Sequence, residues 1–150
     1  MTSKLAVTHQ PLTSADKHEI QALISEYSLH EDSGNAVAWA DLFTQDGSFY
    51  GSGKPSVHGK DNLLASAIRR WAERPEVHGR VHWVSNIIIE ADELGAIASS
   101  YQMTTKEING VNCITAVSGK QDILRKENGK WRFHVRRVVP IGADAQLQNI

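Results

Sequence analysis

The stretch Gly79-Arg80-Val81-His82-Trp83-Val84-Ser85-Asn86-Ile87-Ile88-Ile89-Glu90 decides how this chain folds. After Gly79 no glycine or proline interrupts it, and β-branched and aromatic residues dominate, so it reads as the start of a long β-strand. Side chains alternate along a strand, which places His82, Val84 and Asn86 on one face and Trp83, Ser85 and Ile87 on the other. A histidine and an asparagine on an otherwise apolar face must either be hydrogen-bonded within a core or line a cavity.

Downstream of this strand the period of two persists. Strand 81–91 turns at Asp92-Glu93-Leu94-Gly95 into strand 96–107. Asn109-Gly110 marks a hairpin, because both turn positions need positive φ. Strand 111–126 follows, and Asn128-Gly129 makes a second hairpin into strand 131–139, which Pro140 ends. Upstream the period is helical. Thr13-Ser14-Ala15-Asp16 matches a capping pattern, and Ile20, Leu23, Ile24 and Tyr27 form an apolar stripe that should end near Gly34. Ala36, Trp39, Ala40 and Phe43 share a face of a short second helix that Asp46-Gly47 closes. Ser48-Phe49-Tyr50 is a short strand and 51–59 a loop. A third helix, capped by Asp61 or Asn62, carries Leu64, Ala67, Ile68 and Trp71.

Segregated helices and an antiparallel meander define an α+β fold. The strands exceed the common length of about 5–6 residues, and long antiparallel strands twist and coil, so the sheet should curve and leave a pocket at its open end. Length suits a single domain spanning 1–150, with a core over about 14–139, a loose arm over 1–12 and a surface tail over 141–150.

Composition excludes several classes. With 16 basic against 17 acidic residues there is no basic excess of the kind nucleic-acid or anionic-membrane surfaces need. The lone cysteine, Cys113, rules out an internal disulfide and a cysteine zinc site. No apolar run approaches a membrane span, and residues 1–10 lack a signal-peptide core, so a cytoplasmic protein is expected.

Four residues have the parts of one mechanism. His82 suits a general base, and Asp32 can hold its imidazole tautomer and stabilise the imidazolium. Asp32 lies near the end of the first helix, where a carboxylate opposes the macrodipole. Tyr27, on the apolar stripe, can hydrogen-bond a developing oxyanion. Arg137, alternating with Trp131, Phe133, Val135 and Val139, should point with the core face and needs an acidic partner or an anionic ligand atom. The set suits proton abstraction beside a carbonyl, followed by elimination or isomerisation. A structural salt bridge at Arg137 and a solvated Asp32 remain the alternatives. His78 and His82 form H-x₃-H, but with His78 in a loop the spacing gives no metal site.

Ile20-x-x-Leu23-Ile24-x-x-Tyr27 leading to Asp32, Ala40-Asp41-Leu42-Phe43-Thr44-x-Asp46-Gly47, His82-x-x-x-Asn86 and Gly129-Lys130-Trp131-Arg132-Phe133 together resemble the SnoaL-like branch of the NTF2-like superfamily, over roughly residues 14–139. That branch includes scytalone dehydratase, bile-acid 7α-dehydratase and γ-hexachlorocyclohexane dehydrochlorinase. The resemblance implies a cone-shaped fold, with three N-terminal helices on a curved sheet around a deep pocket. It implies no cofactor and a homodimer or homotrimer built on the sheet. It casts His82 and Asp32 as a proton-abstracting dyad, Tyr27 as a catalytic tyrosine and Arg137 as its arginine. Scytalone dehydratase has a second catalytic histidine on the next strand; here that place holds Ser100-Tyr101, and Tyr101 is the candidate substitute. Asn86 belongs to the pattern, and Trp39, Phe49, Tyr50 and Trp71 are expected to line the pocket for a small hydrophobic or aromatic substrate. The expected activity is a dehydratase-type lyase or isomerase. The alternative is a non-catalytic ligand-binding protein or the small subunit of a ring-hydroxylating dioxygenase, since this fold hosts all of these.

Overall fold

The computed structural model describes residues 11–141. The expected arm over 1–12 and tail over 141–150 fall, except for residues 11, 12 and 141, outside the described residues, as does His9.

Helix α1 spans Ser14–Ser33. Thr13 caps it: its hydroxyl accepts the Asp16 N–H at 3.1 Å, while the Asp16 carboxylate accepts the Thr13 N–H at 3.0 Å. Both satisfy donors that a helix start otherwise leaves open. Ile20, Leu23, Ile24 and Tyr27 are all buried, as their spacing predicts. Gly34 ends the helix at φ +68°, a left-handed conformation that suits glycine, and its Cα faces the Trp71 ring so closely that a Cβ would collide. Helix α2 spans Ala36–Asp41, capped by Asn35, and α3 spans Lys60–Glu73.

Four expectations for this half need correction. Strand β1 runs over Phe43–Tyr50, so Phe43 belongs to a strand and not to the face of α2. The loop after it contains a two-residue strand, β2, Val57–His58, paired to β1. Neither Asp61 nor Asn62 caps α3, which starts directly after Gly59; Asn62 donates instead to the His58 carbonyl at 2.9 Å. On α3, Leu63 and Ala67 are buried and Ile68 is exposed, because the inward face is rotated from the expected stripe.

The meander follows as β3 Arg80–Asp92, β4 Gly95–Ile108, β5 Val111–Glu127 and β6 Lys130–Pro140. Asn109 and Gly110, and again Asn128 and Gly129, all have positive φ, as the hairpin turns require. The strand order is β2-β1-β6-β5-β4-β3, antiparallel throughout except for the parallel β1–β6 pair. Register shifts interrupt β3 between Ser85 and Ile88, β5 opposite Thr104 and Thr105, and β6 opposite Ile123 and Leu124. Each extra residue bends its strand and increases local twist, so the sheet curls around α1 without closing.

At one end the concave face is filled. Tyr27, Trp39, Phe43 and Phe133 interlock, with ring centroids 5.0 to 6.2 Å apart in tilted and edge-to-face arrangements. Leu124, Ala96 and Ala98 pave the sheet below them. Toward the other end the inward residues turn polar and the interior opens.

Candidate active site

An open cavity of about 570 Å³ occupies that end, within the range of small-molecule sites. His82, Gln102, Thr104, Ser118 and Lys120 reach it from the sheet, Tyr27 and Glu31 from α1, Trp71 and Arg70 from α3, and Phe49 from β1.

His82 is held from behind. β3 is an edge strand, and at His82 its backbone N–H donates to Asp32 Oδ2 at 3.0 Å, while Nδ1 stands 2.5 Å from Asp32 Oδ1. One carboxylate therefore takes both the backbone and the ring of a single residue. An ionised carboxylate only accepts hydrogen bonds, so Nδ1 carries the proton and the Nε2 lone pair is left as the basic position. Asp32 does not line the cavity; it sits in the last turn of α1 against β3. Its unfavourable place in the helix dipole is compensated by these two bonds.

Tyr27 is fully buried and at the cavity's inner edge. Burial, more than the Glu31 charge nearby, pushes its hydroxyl well above the usual phenol range, so it stays a neutral donor. The charge that the sequence reading assigned to Arg137 belongs to Arg136. The extra residue in β6 shifts the alternation after Phe133, so Arg136 points inward with 0% exposure, its guanidinium 4.0 Å from the centre of the Tyr27 ring. Its ion-pair partner is the equally buried Asp122, 3.6 Å away on β5. Arg137 instead lies over the Tyr50 ring at 4.8 Å.

The other expected residues divide. Phe49 and Trp71 line the cavity. Trp39 does not; it is buried among Tyr27, Phe43 and Phe49 beneath the Arg70 guanidinium. Tyr50 is not on the lining either and packs edge-on against His58. Asn86 sits in the β3 bulge at φ +54° and is exposed, so it does not share the face of His82; Ile87 and Ile89 take that side. Tyr101 alternates outward between the buried Ser100 and Gln102 and is exposed, out of reach of the cavity. His78 stacks on Trp71 at 4.3 Å and bonds its carbonyl at 2.8 Å.

Four site residues escaped the sequence reading: Glu31, which pairs with Arg70 at 3.1 Å, Gln102, Lys120 and Asp122. Gln102 Oε1 is buried and lacks a hydrogen-bond partner, so an acceptor is waiting at the wall. Lys120 is 3% exposed, and burial together with the Arg136 charge lowers its ammonium to about 8. Burial raises Asp122 to about 6 against the opposing pull of Arg136 and Lys120. Alternation within the single run Lys120-Gln121-Asp122 puts these two charges on one face of β5.

A family model described as a SnoaL-like domain matches residues 13–137. No curated protein matches the chain. Among solved structures, an NTF2-like protein with a cystatin-like fold from Novosphingobium aromaticivorans superposes with a TM-score of 0.78 at 22% identity, over 87% of this chain and 85% of its own. A Nostoc punctiforme protein of unknown function with a cystatin-like fold gives 0.77 at 24% identity, over 92% and 99%. A protein from Novosphingobium aromaticivorans provisionally designated a scytalone dehydratase gives 0.69 at 20% identity, over 89% and 90%. At these identities the likeness is one of fold.

Proposed function

This chain belongs to the SnoaL-like family within the NTF2-like fold, a family that includes polyketide cyclases and dehydratases, and on that premise we propose that it is a cofactor-independent lyase or isomerase of the dehydratase type. The observation that carries the reading is the Asp32–His82 pair, which presents a basic Nε2 at the wall of a small-molecule cavity.

In the proposed reaction a hydroxy-carbonyl compound lies against Phe49 and Trp71. His82 Nε2 removes the proton next to the carbonyl, and the C–H electrons move onto the carbonyl oxygen. The Tyr27 hydroxyl donates to that oxyanion, whose charge is further favoured by Arg136 behind the Tyr27 ring. In elimination the enolate collapses, the β-hydroxyl leaves with the proton returned by the His82 imidazolium, and water and a conjugated double bond result. In isomerisation the same proton returns to a different carbon. With Tyr101 outside the cavity, one base handles both transfers. Gln102 Oε1 is placed to accept a substrate hydroxyl.

The test is turnover of a panel of cyclic and aromatic hydroxy-ketones, followed by the absorbance of the conjugated product. His82→Ala should lower turnover about 10²–10⁴-fold with an unchanged circular dichroism spectrum. Equal turnover by the variant would overturn the mechanism. Binding without turnover, equally tight in wild type and His82→Ala, would establish the non-catalytic alternative.

A further inference from the structure

The chain as a whole is nearly neutral, yet its cavity is not. Lys54, Arg69, Arg70, Arg74, Arg80 and Lys120 line it against only Glu31 and Glu73. Glu31 is committed to Arg70 at 3.1 Å, and Arg74 is held at 2.7 Å by Glu76, which lies off the lining. Lys54, Arg69, Arg80 and Lys120 have no ion-pair partner among the described residues, and of these Lys54 and Arg80 act on each other electrostatically. These cations also crowd one another: Lys54 is held below the usual lysine range by desolvation and by Arg74, Arg70 and Arg80. A like-charge cluster at the mouth of a cavity focuses positive potential there, and an anion would relieve the repulsion.

We infer that the substrate carries an anionic oxygen group, a carboxylate or a phosphate, held at the cavity mouth by Lys54 and Arg80. The inference rests on reading the His82 cavity as the substrate site and specifies what enters it. Arg80 and His82 point to the same face of β3 two residues apart, with Cα atoms roughly 7 Å from each other, so the anion is anchored beside the base. The aromatic or alicyclic body then extends inward past Trp71 and Phe49, and the reacting carbon is a few bonds from the anchored end. A guanidinium gives such a group two parallel hydrogen bonds, which fixes direction as well as adding affinity.

Calorimetric binding of 2-naphthol, 2-naphthoate and 2-naphthyl phosphate to the full chain tests this with ligands that cannot react. At low salt at least one anion should bind about tenfold or more tighter than the naphthol, and the gap should narrow at high salt. The tighter of the two anions identifies the group. Lys54→Gln with Arg80→Gln should erase the preference and leave naphthol affinity in place. His82→Ala, which removes turnover under the proposed function, should keep the preference in full, so the two readings fail separately. Naphthol binding as tightly as both anions, or a preference that survives the double glutamine variant, would overturn the inference.

Discussion

A lysine side chain 3% exposed, with no carboxylate inside ion-pair distance among the described residues, carries its charge into a poorly solvating place. The folded protein therefore holds the Lys120 proton less tightly than the unfolded chain, about 8 against the 10.5 of a free lysine. Below pH 8 both states are protonated and the destabilisation is complete. Between 8 and 10.5 the native amine loses its proton while the unfolded one keeps it, so native stability rises with pH. Lys120→Met should accordingly stabilise the fold by about 1–3 kcal/mol near pH 7, and the advantage should vanish toward pH 10.5, as read by urea unfolding across that range. A gain that does not depend on pH would mean packing, not charge, was the cause. His82 offers a second residue-level expectation. With Asp32 present, the ¹⁵N shifts of the imidazole should report a single tautomer protonated at Nδ1; Asp32→Asn should replace it with a mixture. The pairing itself was legible in the sequence, because an apolar strand bearing a histidine and a helix end bearing a misplaced carboxylate both asked for a partner. Lys120 and Asp122 were not, since charged residues on a strand read by default as solvated.

At the level of the strand, the two errors at Asn86 and Arg137 have one cause. An unbroken period of two puts both residues on the inward face, but β3 and β6 each contain an extra residue that reverses which side chains face inward. No glycine marks either bulge; Asn86 adopts φ +54° itself, and His134 is the unpaired residue of β6. Hairpins, by contrast, announced themselves through Asn-Gly, because that turn needs particular residues and a bulge does not. The corrected register makes an energetic statement about β6. Arg136→Met leaves Asp122 buried without its counter-charge and should destabilise the protein by about 3 kcal/mol, whereas Arg137→Met, which loses only a cation–π contact over Tyr50, should stay within about 1 kcal/mol. Adding Asp122→Leu to Arg136→Met should recover much of the loss, since replacing both ions with apolar groups avoids the unpaired charge. Urea midpoints of the four proteins decide it. Equal sensitivity at 136 and 137 would mean that the bulge does not set the register.

The same curvature that hides one face of the whole sheet displays the other. On the convex side Trp83 lies opposite Met103, which lies opposite Val117, and Tyr101 and Ile114 extend the run. Trp83 alone is 56% exposed, and Val81, Tyr101, Ile114 and Val117 are exposed with it, a contiguous apolar patch of the kind monomers rarely leave in water. Helices cover only the concave side, and no helix among the described residues is long and apolar enough to cross a membrane. We therefore propose a second copy, or two further copies, of this chain as the cover, joined across β3, β4 and β5. An aromatic centre ringed by Ser85, Ser99 and Thr105 matches the apolar core and polar rim of stable interfaces. Light scattering after size exclusion should give two or three times the mass of one chain. Trp83→Arg with Ile114→Asp should reduce it to one, because each places a charge at a desolvated centre. Neither substituted residue lines the cavity, so the dissociated variant should still bind 2-naphthol. A wild type that runs as a single chain would remove the assembly. A variant that loses naphthol binding along with its partner would show that the cavity's shape depends on the assembled sheet.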